Sequence, residues 1–415
     1  MTCPTEPTVP ALQADRPYAR AERPFAVIAT RAGLLLAAVL AAGGCSTIRG
    51  WFGGDDDDAK PTEPKELTDF TATASVQRLW TARAGKGEGR IGARQHPAIV
   101  DGRVYAAAIE GGVRAFDLQS GAAVWHYASD LPLSGGPGAG DGLVAVGSLE
   151  GDVVALDAAT GAERWTAKVD NEVIAAPAIG QGMVIVHSND GRVSAFDAAS
   201  GERRWFWNHE QPSLTVRGGS SVTLGPGFVF VGNDDGTLSA LALADGRPLW
   251  EAQVAAPDGR TELERMADVD GAPVLDGAVL FATSYKGKTV AIEGPSGRVI
   301  WSSESGGAGQ VGVGTSMVAV SDRNGLVHGL DKASGGGMWQ QGALARRSLT
   351  SAAVQGEYVV VGDYDGYLHW LNLSDGALAA RTRAGGDALR GAPQVADGIL
   401  VVQNVDGELS AYRVQ

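Results

Sequence analysis

The chain has 415 residues, 59 of them glycine, and a formal net charge of −14. No basic stripe supplies the Lys and Arg needed to neutralise phosphates, which excludes nucleic acid as a partner. The two cysteines, Cys3 and Cys45, lie near the start, so the remaining chain has neither a disulfide nor thiol chemistry.

In chain order, the first feature is the apolar run Gly33 to Ala42, which follows Arg31. It is too short to span a bilayer but suits the core of a secretory signal. It ends in Ala42-Gly43-Gly44-Cys45, small residues before a cysteine, which resembles a bacterial lipobox. Residues 1–44 are therefore expected to be a lipoprotein signal peptide with a long leading region, for which a later start at Val9 or Val27 is the alternative. Cys45 is the expected lipidation site, and several acyl chains there suffice for stable anchoring. By the same resemblance, Ser46 after the cysteine implies the outer membrane. Residues 45–75 carry Asp55 to Asp58 and a Pro/Thr/Glu/Lys mixture without periodicity, which reads as a disordered tether.

From residue 76 onward a glycine is followed fourteen residues later by a tryptophan, six times: Gly111–Trp125, Gly151–Trp165, Gly191–Trp205, Gly236–Trp250, Gly287–Trp301 and Gly325–Trp339. Gly366 and Gly407 extend the series to eight units of about forty residues, the signature of a β-propeller. Each unit reads as four strands. In the first these start at Pro97, Val104, Val113 and Ala123, with turns at Asp101-Gly102, Gly111 and Ser120-Gly121. The aspartate ending each third strand (Asp117, Asp157, Asp197) is placed to accept turn N–H groups. The tryptophan is suited to filling the wedge between blades. Ala242, Glu293, Asn372 and Arg413 replace that aspartate, and Ala380 stands where the seventh tryptophan belongs. The eighth unit lacks a fourth strand, and 74–82, with its own Trp80, supplies one. The expected fold is all-β, an eight-bladed propeller of four-stranded antiparallel blades over 76–415, its ring closed by the N-terminal strand joining the C-terminal blade.

Within a unit the spacing is constant; between units it is not. From the tryptophan to the next first strand there are 12 residues after Trp125 and Trp165, 17 after Trp205 (to Val222) and 23 after Trp250 (to Pro273). The two longest internal connections belong to adjacent blades and must emerge side by side on one face. Loops on a rigid scaffold are the usual seat of function. The first contains Leu214, Val216 and Arg217, an apolar pair beside a cation. The second contains Glu262 to Asp270, a candidate helical turn ending in acidic residues. Arg217 either faces a partner or pairs internally with Asp268 or Asp270.

The segments Gln211-Pro212-Ser213-Leu214-Thr215-Val216-Arg217-Gly218, Asp268-Val269-Asp270, Leu349-Thr350-Ser351 and Val361 to Trp370 resemble the BamB family, lipoprotein subunits of the outer-membrane β-barrel assembly machinery. The likeness covers the lipobox and essentially all of 76–415. It implies that Leu214, Val216, Arg217, Asp268 and Asp270 bind the periplasmic POTRA domains of BamA, with Val216 where leucine is usual. It also implies a non-catalytic role in folding and inserting outer-membrane proteins, with no cofactor. Unfolded outer-membrane proteins are a further candidate partner, and the acidic net charge would steer association with a basic one.

Two rivals share the propeller repeat. A quinoprotein dehydrogenase would need a quinone, a Ca²⁺ site and an adjacent-cysteine disulfide, and the repeats hold no cysteine. A generic periplasmic adhesion propeller would not need the two loops. The six histidines lack metal-ligand spacing. Asp234-Asp235-Gly236 and Asp363-Tyr364-Asp365-Gly366 sit at hairpin turns without the remaining ligands of a calcium loop. Arg346-Arg347 reads as a solvated loop. No catalytic or metal-binding residue is expected.

Overall fold

Eight four-stranded antiparallel sheets follow one another along the chain. The computed structural model describes residues 63–218 and 220–415; the expected signal peptide, Cys45 and the Asp55 to Asp58 run lie outside them. Blade 1 is Ala98–Val100, Arg103–Ala108, Gly112–Asp117 and Ala123–Tyr127, and blades 2 to 7 repeat that meander. Blade 8 takes three strands from the C-terminus and its fourth, Val76–Arg83, from the opposite end of the chain, in antiparallel register with Glu408–Val414. The expected eight blades and ring closure are thus both present.

Second and third strands are almost wholly buried, because both of their faces pack on neighbouring blades. Their sequences are accordingly continuous apolar runs, such as Val144 to Val146 and Val153 to Leu156. Fourth strands face solvent and alternate, as in Glu163–Lys168, where Trp165 alone is buried.

The tryptophans do more than fill space. Seven indole N–H groups donate to a backbone carbonyl of the next blade: Trp80 to Leu118, Trp125 to Ala158, Trp165 to Ala198, Trp205 to Leu243, Trp250 to Gly294, Trp301 to Lys332 and Trp339 to Leu373, all at 2.8–3.0 Å. The ring also lies flat on the glycine of that blade's third-to-fourth turn. A Cβ on Gly201 would meet Trp165 ring atoms at 2.6 Å, and its φ of +72° already favours glycine. The turn aspartates behave as expected. Asp157 accepts the N–H and hydroxyl of Thr160 and pairs with Arg164, which together lower its carboxyl to about 2.

One seam lacks this latch. Between blades 7 and 8, Ala380 replaces the tryptophan, and Trp370 of the adjacent strand takes over from inside the blade. Its indole donates to Gln355 Oε1, and Gln355 Nε2 donates to the carbonyls of Gly398 and Tyr412 in blade 8. Trp370 also meets the Tyr412 ring edge-on at 5.9 Å.

The described end of the expected tether, residues 63–75, lies against blades 6 and 7. The Lys65 N–H donates to the Ala345 carbonyl, and those of Thr73 and Ala74 to Ala379. Arg346, Arg347 and Arg381 donate to the carbonyls of Glu63, Lys65 and Thr68. Leu67 packs on the apolar cluster of blades 6 and 7, and the Arg381 guanidinium covers the Phe70 ring at 5.0 Å. Composition assigned this stretch to disorder because its partners are some three hundred positions away. Arg347 also departs from expectation: it is 3% exposed and bound to Asp363 and Asp365, not solvated.

Candidate functional site

The two long connections do meet. Ser213 Oγ donates to Glu262 Oε2 at 3.0 Å, and the Val216 N–H donates to Asp268 Oδ1 at 2.7 Å. Beneath the first loop, Gln211 Nε2 donates to Asp234 Oδ2 at 2.6 Å and to the Asn189 carbonyl at 3.2 Å, tying the loop to the hairpin turns of blades 3 and 4. The second connection forms the expected helical turn, Glu262–Arg265. Thr261 caps it reciprocally with Glu264, and Arg265 pairs with Glu262.

After the helix the chain turns inward. In Ala267-Asp268-Val269-Asp270 the apolar residues alternate with the acidic ones, as on an extended strand. All four are buried. Val269 joins the core of blades 4 and 5, and its N–H donates to the Asn233 carbonyl. The opposite side carries Asp268 and Asp270, which therefore lie under the loops and not on their surface. Burial raises the Asp268 carboxyl above its ordinary value, although the Val216 N–H opposes this. Burial raises Asp270 further, against the pull of Arg94, with Asp268 and Asp234 adding to the rise.

What remains at the surface is Leu214 at 42% exposure, with Arg217 exposed and Val216 half-buried. Arg217 does not reach Asp268 or Asp270. It pairs with Glu172 of the blade 2 to 3 connection at 2.7 Å and donates to the Ile91 carbonyl at 3.2 Å. Glu172 is in turn fixed by Asn189 Nδ2 at 2.9 Å. Arg217 also borders a depression with Arg94, Arg323 and Arg390, so this face is locally cationic on an acidic protein.

Leu263, 66% exposed on the helical turn, and Glu172, the anchor of Arg217, are the two members that sequence reasoning missed. The capping pattern Thr261-Glu262-Leu263-Glu264 could have found the first, because it fixes where the helix starts. Glu172 sits 45 positions before Arg217 in a connection of ordinary length, and no local signal marks it.

A family model described as "Outer membrane protein assembly factor BamB" matches residues 109–341 and 323–415. The chain belongs to the BamB family. A curated member of that name from Xanthomonas campestris pv. campestris is 60% identical over 92% of this chain and 97% of its own length. Another from Pseudomonas aeruginosa is 42% identical over 92% and 98%. The crystal structure of BamB from Moraxella catarrhalis superposes with a TM-score of 0.74 at 27% identity, covering 82% of this chain and all of that one. A europium-containing methanol dehydrogenase, at TM-score 0.65 and 14% identity, shares the propeller fold alone.

Proposed function

We propose that the protein is a non-catalytic subunit of the outer-membrane β-barrel assembly complex, docking onto the POTRA domains of BamA through the two joined loops. In this reading Cys45 carries the lipid that holds the propeller at the periplasmic face of the outer membrane. The chain then helps outer-membrane proteins fold and insert. Family membership supports the role in assembly. The observation that carries the docking reading is that the two longest internal connections of the expected series are bonded into one surface, with Leu214 exposed beside Arg217.

The five site residues divide into two kinds. Leu214, Val216 and Arg217 are the contact residues, and Leu263 extends their apolar area. Asp268 is a positioning residue that fixes the Val216 N–H, with Asp270 behind it. Exposed ion pairs are worth about 0–1 kcal/mol, so Arg217 exchanges Glu172 for a carboxylate or carbonyl of the partner at little cost. The local arginines favour an acidic patch on that partner.

Measuring the affinity of the variants for the purified POTRA domains tests this. Arg217→Ala and Leu214→Ala are each expected to weaken binding by about 2 kcal/mol, the threshold of a hot spot. Unchanged affinity in both, with folding intact, would sink the docking reading.

A further inference from the structure

One oxygen from each of Asp234, Asp268 and Asp270 lies within 4.8 Å of the other two. Clustered carboxylates alone signify little, but the partners of these three are unusual. Asp268 is fully buried and Asp270 is 8% exposed. Among the described residues, Asp268 Oδ2 and both oxygens of Asp270 have no hydrogen-bond donor. A buried polar group without a partner costs roughly 1–3 kcal/mol, and more when charged. Arg94 is the cation that bears on Asp270, and the like charges of Asp268 and Asp234 act against it there.

The surroundings are otherwise complete. Asp268 Oδ1 takes the Val216 N–H, and Asp234 Oδ2 takes Gln211. The neighbouring Asp235 is occupied by His209 at 2.9 Å and by Thr237 at 2.6 Å. Asp268 Oδ2 and the two Asp270 oxygens are the ones left over. Oxygens on opposite sides of a Ca²⁺ ion at 2.3–2.6 Å are about 5 Å apart, so the observed spread suits three ligands around one ion. The donors are all hard carboxylate oxygens, without imidazole or thiolate, which selects the calcium–magnesium class over zinc or copper.

We propose that Asp234, Asp268 and Asp270 bind a single divalent cation of the calcium–magnesium class beneath the joined loops. The site bridges the blade 4 hairpin turn and the buried segment leading to blade 5. Because Asp268 also holds the Val216 N–H, the ion braces the first loop from below. None of this depends on the docking reading, since it concerns ligation and not a protein partner.

The test uses the full-length protein stripped with EDTA, dialysed at pH 7.5 (about one unit above where histidine titrates) and titrated with CaCl₂, MgCl₂ and MnCl₂ by calorimetry and thermal melting. The expected result is one equivalent bound for at least one of the ions, with a rise in Tm. Binding should weaken about tenfold or more in Asp270→Asn, and also in Asp234→Asn, whose more exposed position protects its folding. No heat and no Tm shift with any of the three ions would overturn the proposal. Binding that survives unchanged in a folded Asp234→Asn or Asp270→Asn variant would place the ion elsewhere and overturn it equally.

Discussion

Two aspartate clusters sit at hairpin turns of the same kind, in blades 7 and 4, and are treated in opposite ways. Asp363 is fully buried, yet every oxygen is used. Oδ1 accepts the N–H groups of Asp365 and Tyr367, and Oδ2 accepts Arg347 Nε at 2.7 Å and His369 Nε2 at 3.0 Å. Arg381 Nε donates to His369 Nδ1, so that ring is neutral and carries its proton on Nε2. The compensating charge is therefore that of Arg347. Burial would raise the Asp363 carboxyl, but these bonds hold it below its usual value. Asn233 takes the position of Asp363 in blade 4, and its side-chain Nδ2 donates within its own blade, to Thr237 and Ser239. Of the acidic groups there, Asp268 keeps one oxygen and Asp270 both without a donor among the described residues, next to Asp234. A closed cluster is framework; an open one under the joined loops has capacity left for a ligand.

The largest effect expected from this contrast is at Arg347. Arg347→Ala leaves Asp363 buried without its cation and should cost about 3–5 kcal/mol, measured by urea denaturation. A cost under 1 kcal/mol would mean that His369 can protonate and replace it. Next in size, Leu214→Ala and Arg217→Ala should each lose about 2 kcal/mol of partner binding while folding stability changes by under about 0.5 kcal/mol. A comparable stability loss would make this surface framework as well.

Smaller, and opposite in sign to Arg347→Ala, is Asp270→Asn. In EDTA at alkaline pH it removes a buried negative charge with no donor and should stabilise the fold by roughly 1 kcal/mol. Destabilisation there would show that the Asp270 charge is already satisfied.

The smallest effect is in the pH profile. Asp363 has a lowered carboxyl, so its stabilisation is present above the unfolded value of about 4 and is lost as pH falls through the folded one. Asp268 and Asp270 have raised carboxyls, so without cation their contribution is present below about 4 and is lost as pH rises through the folded values. Melting curves from about pH 2 to about pH 8 should show Asp270→Asn flattening the alkaline decline and Asp363→Asn flattening the acid one. Identical slopes in wild type and both variants would remove the distinction.

The propeller was legible because its determinants are local and repeated: the glycine at the second turn, the aspartate at the third and the tryptophan fourteen residues on. The loops were legible because they interrupt that count. The burial of Asp268 and Asp270 was not. Their alternation with Ala267 and Val269 suggests a strand with one wet face, and only the assembled ring shows that this face is covered by Asp234 and the first loop. Arg347 failed for a related reason. A charged residue in a polar loop reads as solvated unless its distant partner is known, and two of the three side-chain bonds of Arg347 go to a hairpin turn 16 and 18 positions onward.

Closing the ring with a strand from each end has a consequence for how the chain reaches this state. Arg83 and Asp406 are bonded at a separation of 323 positions, so blade 8 waits for nearly the whole chain to be available. Until then the strand Val76–Arg83 is an unpaired edge. The length of 63–75 laid over blade 7 shortens the search. Once blade 7 has formed, it can hold the leading strand close to the place where its partner will arrive.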